Sequence, residues 1–136
     1  MKYEQTIEDL GGIDLQLLGI GNNGHIGFNE PGASFDSYAH ITTLDEFTQQ
    51  VGQKYFTSAT ELKQGITLGL KHLLEAKRAI LVANGVKKAS IVKQVLEGEI
   101  SEQLPASSMR RHNNGLVLID QEAASLLTRA WSPSQF

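Results

Sequence analysis

Ile13-Asp14-Leu15-Gln16-Leu17-Leu18 runs directly into Gly19-Ile20-Gly21-Asn22-Asn23-Gly24-His25-Ile26-Gly27-Phe28-Asn29-Glu30-Pro31. The first six residues are rich in branched apolar side chains and predict a strand buried on both faces. The next thirteen hold four glycines, one histidine and one carboxylate. A glycine turn beyond a strand's carboxyl end lets backbone approach a ligand closely, and open α/β sheets bind ligands there. His25, with an ordinary pKa of about 6.5, suits proton transfer near neutrality. Glu30 precedes a proline and is therefore biased toward extended backbone. Its carboxylate can fold back to orient the imidazole and fix its proton on one nitrogen. The other reading of Glu30 is a solvated turn carboxylate, and the pattern alone leaves the two equal. His40, His72 and His112 have no comparable context and read as structural or merely exposed.

Outward from this stretch, the chain alternates strands and helices. The loop from Gly19 to Tyr38 has a length that marks functional loops in compact domains. Thr43-Leu44-Asp45-Glu46 matches a capping box, with Thr43 as N-cap and Glu46 three residues on. Leu44, Phe47, Val51 and Tyr55 then form one apolar helical face ending near Lys54. Ser58-Ala59-Thr60-Glu61 offers a second capping box, and Leu70, Leu73 and Leu74 predict a short helix after Gly69. Ala79–Ala83 is the clearest strand, broken by Asn84-Gly85. Lys87–Leu96 reads as a helix with Gly98 as C-cap. Gly115–Ile119 is a third strand, and Asp120 caps a last helix holding Ala123, Ala124 and Leu127. The tail after Arg129, with Trp131 and Pro133, reads as irregular. The pattern predicts one α/β domain over residues 1–136, a mostly parallel sheet with flanking helices in a Rossmann-like, three-layer arrangement. Three strands make a small sheet for such a fold, so further strands are expected outside the chain.

Composition sets outer bounds. The 136 residues carry a formal charge of −3, with 40% hydrophobic and 20% charged residues, an ordinary globular balance that argues against nucleic-acid binding. There is no cysteine, which excludes disulfides, thiolate metal sites and a cysteine nucleophile. No apolar run reaches the ~20 residues of a membrane span. Met1 to Gln5 lacks a signal-peptide core, so a cytoplasmic protein is expected.

A second candidate feature is Asn84-Gly85-Val86-Lys87-Lys88. The amides at a helix start are unpaired and favour anions, phosphate especially. Lysines there oppose the helix dipole unless an anion also binds. The alternative is a solvated helix start, at even odds. Lys54 at a helix end is favourable in itself, and Arg110-Arg111-His112 reads chiefly as surface charge.

The run Gly19 to Pro31 closely resembles the signature of the glucosamine-6-phosphate deaminase/isomerase family. The resemblance extends through Ile66-Thr67-Leu68-Gly69-Leu70, the segment ending at Ala89, and Pro105-Ala106-Ser107. His40-Ile41, Leu44-Asp45, Thr48-Gln49-Gln50 and Gly65 to Lys71 resemble the galactosamine-6-phosphate branch. The resemblance implies opening of a 2-amino-2-deoxyhexose 6-phosphate, loss of the C2 proton, an enediol-type intermediate, protonation at C1 and departure of ammonia. It implies that His25 moves the ring-opening proton, that Glu30 and Asn23 support it, and that Lys88 and Lys54 hold the phosphate over a loop containing Gly21 and Gly24. It implies neither metal nor organic cofactor; the partner is a small sugar phosphate, with no nucleic acid and no membrane.

The chain departs from the family pattern in four places. Asn23 stands where many relatives carry aspartate, and an amide cannot stabilise imidazolium with a full charge. Lys54 stands where many carry arginine, replacing a bidentate fork by a point charge. Ala33, His40 and Thr42 occupy positions where regulated members bind an allosteric N-acetylated sugar phosphate, so no such activation is expected. Lastly, relatives are longer and begin with units that carry a Ser/Gly-rich phosphate loop and the C2 base. The chain therefore resembles a C-terminal portion, expected to be weakly active or inactive alone and to form a homo-oligomer or associate with the complementary half. Two rivals are a 6-phosphogluconolactonase, disfavoured by Asn29-Glu30-Pro31, and a non-catalytic sugar-phosphate sensor.

Overall fold

The computed structural model describes residues 2–129. The tail segment with Trp131 and Pro133 lies outside the described residues. Helix α1 (Lys2–Asp9) leads through Gly11 and Gly12, both at positive φ, into strand β1 (Leu15–Leu18). Strand β2 (His40–Thr43), helix α2 (Glu46–Gly52), a 3-10 turn over Gln53–Tyr55 and strand β3 (Gln64–Thr67) follow the long loop. Helix α3 (Leu70–Glu75), strand β4 (Arg78–Ala83), a 3-10 turn over Val86–Lys88 and helix α4 (Ala89–Glu97) come next. A further 3-10 segment (Pro105–Arg111) leads into strand β5 (Gly115–Ile119).

The main sheet is parallel, in the order β1-β4-β5, with Leu17 beside Ile80 and Leu81 beside Val117. The α/β class and its parallel sheet are as expected. Apolar residues recur along α4 at helical spacing, so Ile91, Val92, Val95 and Leu96 face the same core as Leu81 of β4 and Leu70 and Leu73 of α3. Each such side chain contributes about 1.5–3 kcal/mol by leaving water. Ala106 and Met109 of the 3-10 segment are buried in this same core.

Several expectations are corrected. The β1 strand is not buried on both faces: Leu15 and Leu17 are 54% and 69% exposed, and only the opposite face of the sheet meets the helices. Thr43 is not an N-cap. It is the last residue of an extended, β-branched run paired antiparallel with β3, and Asp45 caps α2 instead. The apolar face expected along α2 buries only Leu44, while Phe47 and Tyr55 are exposed. Ser58–Glu61 forms no helix; Gln53 holds it as a loop by accepting from the Thr60 amide. After β5, Asp120 accepts from the Ala123 amide at 2.8 Å, but the segment continues as turns rather than a helix. Gly98 ends α4, donating to the Gln94 carbonyl, without the left-handed backbone usual for glycine there.

Candidate active site

The glycine-rich loop leaves the carboxyl end of β1 and folds into two tight turns. The Gly21 amide donates to the His25 carbonyl at 3.0 Å, and the Gly24 amide to the Gly21 carbonyl at 2.9 Å. Gly24 has φ +86°, a conformation that costs a residue with a Cβ roughly 1 kcal/mol or more. At Gly21 the requirement is space. A Cβ there would lie 2.1 to 2.5 Å from three atoms of the His25 ring, so the imidazole rests directly on bare backbone. The Gly24 carbonyl accepts from the Ala106 amide at 2.9 Å, pinning the turn to the 3-10 segment.

His25 and Glu30 do converge, through Asn23. The Asn23 side-chain Oδ1 lies 2.8 Å from His25 Nδ1 and accepts from the His25 backbone N–H at 3.1 Å. The Asn23 Nδ2 donates to Glu30 Oε2 at 2.8 Å. A carboxylate accepts only, so the amide nitrogen must face Glu30 and the amide oxygen must face the imidazole. The oxygen in turn requires a hydrogen on Nδ1, which leaves Nε2 with a free lone pair. The direct Nδ1 to Glu30 Oε1 separation is 3.5 Å, longer than a good hydrogen bond. Asn23 is thus the link between acid and ring. Both His25 and Glu30 side chains remain about a quarter exposed, open to a ligand.

The second half of the loop is moored to β3. The Phe28 amide donates to Thr67 Oγ1, and Asn29, 2% exposed, donates through Nδ2 to the Leu68 carbonyl at 2.8 Å. The Asn29-Glu30 pair therefore has one buried anchor and one carboxylate turned to the site.

Lys88 reaches this loop from 68 residues beyond Ile20 in sequence. Its Nζ donates to the Ile20 carbonyl at 2.7 Å and to Asn22 Oδ1 at 3.0 Å. These acceptors flank Gly21, the residue beneath the imidazole. Desolvation holds the Lys88 ammonium below its ordinary pKa. Gly85 at φ +85° turns the chain out of β4, and its amide is held by both oxygens of Asp120 at 3.1 Å. Lys54 is placed differently. It lies exposed on the 3-10 turn after α2, with its ammonium 5.1 Å from the Tyr55 ring centroid. The remaining histidines have structural partners: His112 Nε2 lies 2.9 Å from the Ala76 carbonyl, His40 Nδ1 lies 2.8 Å from the Tyr38 carbonyl, and buried His72 meets the Tyr38 ring edge-on. Arg110 donates to the Gly98 carbonyl and Arg111 lies over Phe35.

Sequence reasoning missed one member of this neighbourhood. Asn22 holds Lys88, a role that only the three-dimensional contact reveals. Among the described residues, no group of three or more His, Asp or Glu is arranged to hold a metal ion, and no helix is long and apolar enough to cross a membrane.

The chain is similar to known proteins over most of its length. A family profile described as glucosamine-6-phosphate isomerases/6-phosphogluconolactonase matches residues 1–118. Glucosamine-6-phosphate deaminase 1 of Bacillus subtilis (strain 168) is 51% identical over 126 residues, covering 92% of this chain and 52% of the relative. A glucosamine-6-phosphate deaminase of Thermoanaerobacter sp. (strain X514) is 45% identical over 127 residues, 93% of this chain and 50% of its own. A solved monomeric glucosamine-6-phosphate deaminase superposes with a TM-score of 0.83 at 50% identity, covering 93% of this chain and 53% of its own. A 6-phosphogluconolactonase from Trypanosoma cruzi shares the fold alone, with a TM-score of 0.70 at 18% identity, over 94% of this chain and 50% of its own. The chain spans about half the length of the curated relatives it matches.

Proposed function

The chain belongs to the glucosamine-6-phosphate isomerase/6-phosphogluconolactonase family, and from that premise we propose that it carries the ring-opening and phosphate-holding part of an amino-sugar-phosphate deaminase/isomerase site. The observation that carries this reading is the hydrogen-bonded series Glu30–Asn23–His25 lying over Gly21, with the Lys88 ammonium on the same turn. The free Nε2 takes the proton from the sugar's anomeric hydroxyl and returns one to the ring oxygen, opening the ring. Glu30, through Asn23, steadies the imidazolium formed in between. The C2 proton then leaves, a proton adds at C1, and water hydrolyses the C2 imine to ketose phosphate and ammonia. The base for the C2 step comes, in this reading, from outside these residues. Lys88 holds the phosphate.

Glucosamine 6-phosphate is the substrate favoured by the relatives' names. Several of the residues that resemble the galactosamine branch occupy structural positions. His40-Ile41 lies in β2, Leu44 is buried, Asp45 caps α2, and Gln49 donates to the Leu44 carbonyl.

Calorimetric titration tests the proposal. Glucosamine 6-phosphate should bind more tightly than inorganic phosphate, galactosamine 6-phosphate or 6-phosphogluconate. Lys88→Met should weaken binding roughly tenfold or more, the scale of a lost charge-assisted hydrogen bond. Ammonia release by the 136 residues alone should be slight. Binding indifferent to Lys88, or preference for the gluconate, would overturn the reading, the latter in favour of lactone chemistry. Ammonia release at the rate of a full-length deaminase would overturn the external C2 base.

A further inference from the structure

The turn closed by the Gly24 amide on the Gly21 carbonyl puts two asparagines, Asn22 and Asn23, at its corners. Their side chains are oriented by different partners. Asn23 is engaged at both ends, its oxygen facing His25 and its nitrogen donating to Glu30. Asn22 is engaged at one end. Its Oδ1 accepts from Lys88 Nζ at 3.0 Å. An ammonium donates and never accepts, so the amide oxygen must face the lysine and Nδ2 must take the other position. Asn22 is exposed, and among the described residues nothing accepts from that Nδ2. Its two N–H groups are open to a ligand. They share a carbon with the oxygen that Lys88 holds, so they lie beside the ammonium.

Lys88 has a matching remainder. An ammonium carries three N–H donors. One goes to the Ile20 carbonyl at 2.7 Å and one to Asn22, which leaves one. A carbonyl and an amide oxygen are neutral, so they fix the half-buried ammonium without cancelling its charge. That spare charge and those spare donors point to an anion. A lone lysine N–H meets phosphate as a point charge and sets no direction. A second donor at a fixed offset sets one.

We propose that Asn22 is a second phosphate contact: Nδ2 donates to one phosphate oxygen while the remaining Lys88 N–H donates to another. The assignment rests on the reading of Lys88 as the phosphate holder given above, and it names the residue that gives the phosphate its direction. The same turn leads directly into His25, so a phosphate fixed here also fixes where the attached sugar lies against Nε2. An amide at position 22 supplies an acceptor to the lysine and donors to the ligand at once. Aspartate would hold Lys88 but would bring no N–H, and its charge would repel the phosphate.

The test is an NMR titration of the 136-residue chain that follows the Asn22 side-chain amide, the Lys88 ammonium and the His25 ring. Inorganic phosphate, glucosamine 6-phosphate and unphosphorylated glucosamine are added in turn. Both phosphates should move the Asn22 Nδ2 protons along the Lys88 saturation curve, and glucosamine should move neither group. Asn22→Ala should weaken inorganic phosphate roughly tenfold, the scale of a lost hydrogen bond to a charged group. Asn22→Asp, which keeps an acceptor for Lys88, should weaken it more than Asn22→Ala does. The amide is read in the parent chain, so the result stands even where a substitution disturbs the turn. An Asn22 amide that stays unmoved while Lys88 saturates, or Asn22→Asp binding phosphate as well as the parent, overturns the proposal and leaves Lys88 as the phosphate holder. Phosphate that moves neither group overturns both. Asn22 and Lys88 moving together, with glucosamine 6-phosphate bound no more tightly than inorganic phosphate, would sink the sugar function and leave the Asn22 contact standing.

Discussion

At the scale of single residues, the site depends on what is missing from Gly21 as much as on what His25 brings. A methyl group at position 21 would occupy the ring's place. In Gly21→Ala the imidazole must swing off, and the Nδ1 bond to Asn23 breaks with it. The fixed tautomer is then lost. The expected result is a chain that stays folded, since the ring is partly exposed, but whose Nδ1–H proton no longer appears as a hydrogen-bonded NMR resonance. A variant with that resonance intact would show that the ring does not rest where the geometry puts it. Much of this was legible in the sequence. The glycines, His25 and Glu30 fall close together, and their chemistry limits what such a loop can do. The route from acid to ring was not legible, because an amide between them reads as a weaker substitute for aspartate. Only the coordinates show that its two ends face a carboxylate and an imidazole at once.

At the scale of elements, the end of the long loop and the start of α3 pack backbone on backbone. Gly69 is the tightest instance. It caps α3, and a Cβ there would fall 1.9 Å from the Ser37 carbonyl oxygen and 2.2 Å from that of Tyr38. No rotamer change relieves a clash with main chain. Gly69→Ala should therefore destabilise the chain by about 2 kcal/mol or more in urea unfolding. Gly19→Ala, where nothing lies within 4 Å, should change stability by less than about 0.5 kcal/mol. Equal midpoints for the two would contradict the close approach of the loop at Ser37 to α3. The elements read most easily from sequence were β4, β5, α3 and α4, where apolar residues are continuous or recur at helical spacing. The β2–β3 pair was missed because each strand is four residues long and polar in part, too short for alternation to show. That omission also misplaced the α2 cap: once His40–Thr43 is extended, Thr43 cannot begin a helix.

At the scale of the whole molecule, one face of the parallel sheet packs on helices and the other presents Leu15, Leu17 and Val82 to solvent. Strands β1 and β5 are the sheet's edges. Exposed apolar strands with unpaired edges promote association. Sedimentation should show concentration-dependent self-association, reduced in Leu15→Lys/Leu17→Lys with the His25 titration unchanged. A strictly monomeric parent at high concentration would contradict this. The apolar run Ile13 to Leu18 predicted burial on both faces, whereas one face is covered, since a six-residue apolar run carries no record of its neighbours. The same scale holds the central claim, that groups from residues 23–30 and from residue 88 act on one ligand. It is tested most directly by following the His25 ring and the Lys88 side chain together by NMR while glucosamine 6-phosphate is added. Both should shift along a single saturation curve, with inorganic phosphate moving Lys88 alone. A sugar phosphate that saturates Lys88 while leaving His25 unmoved would contradict the account.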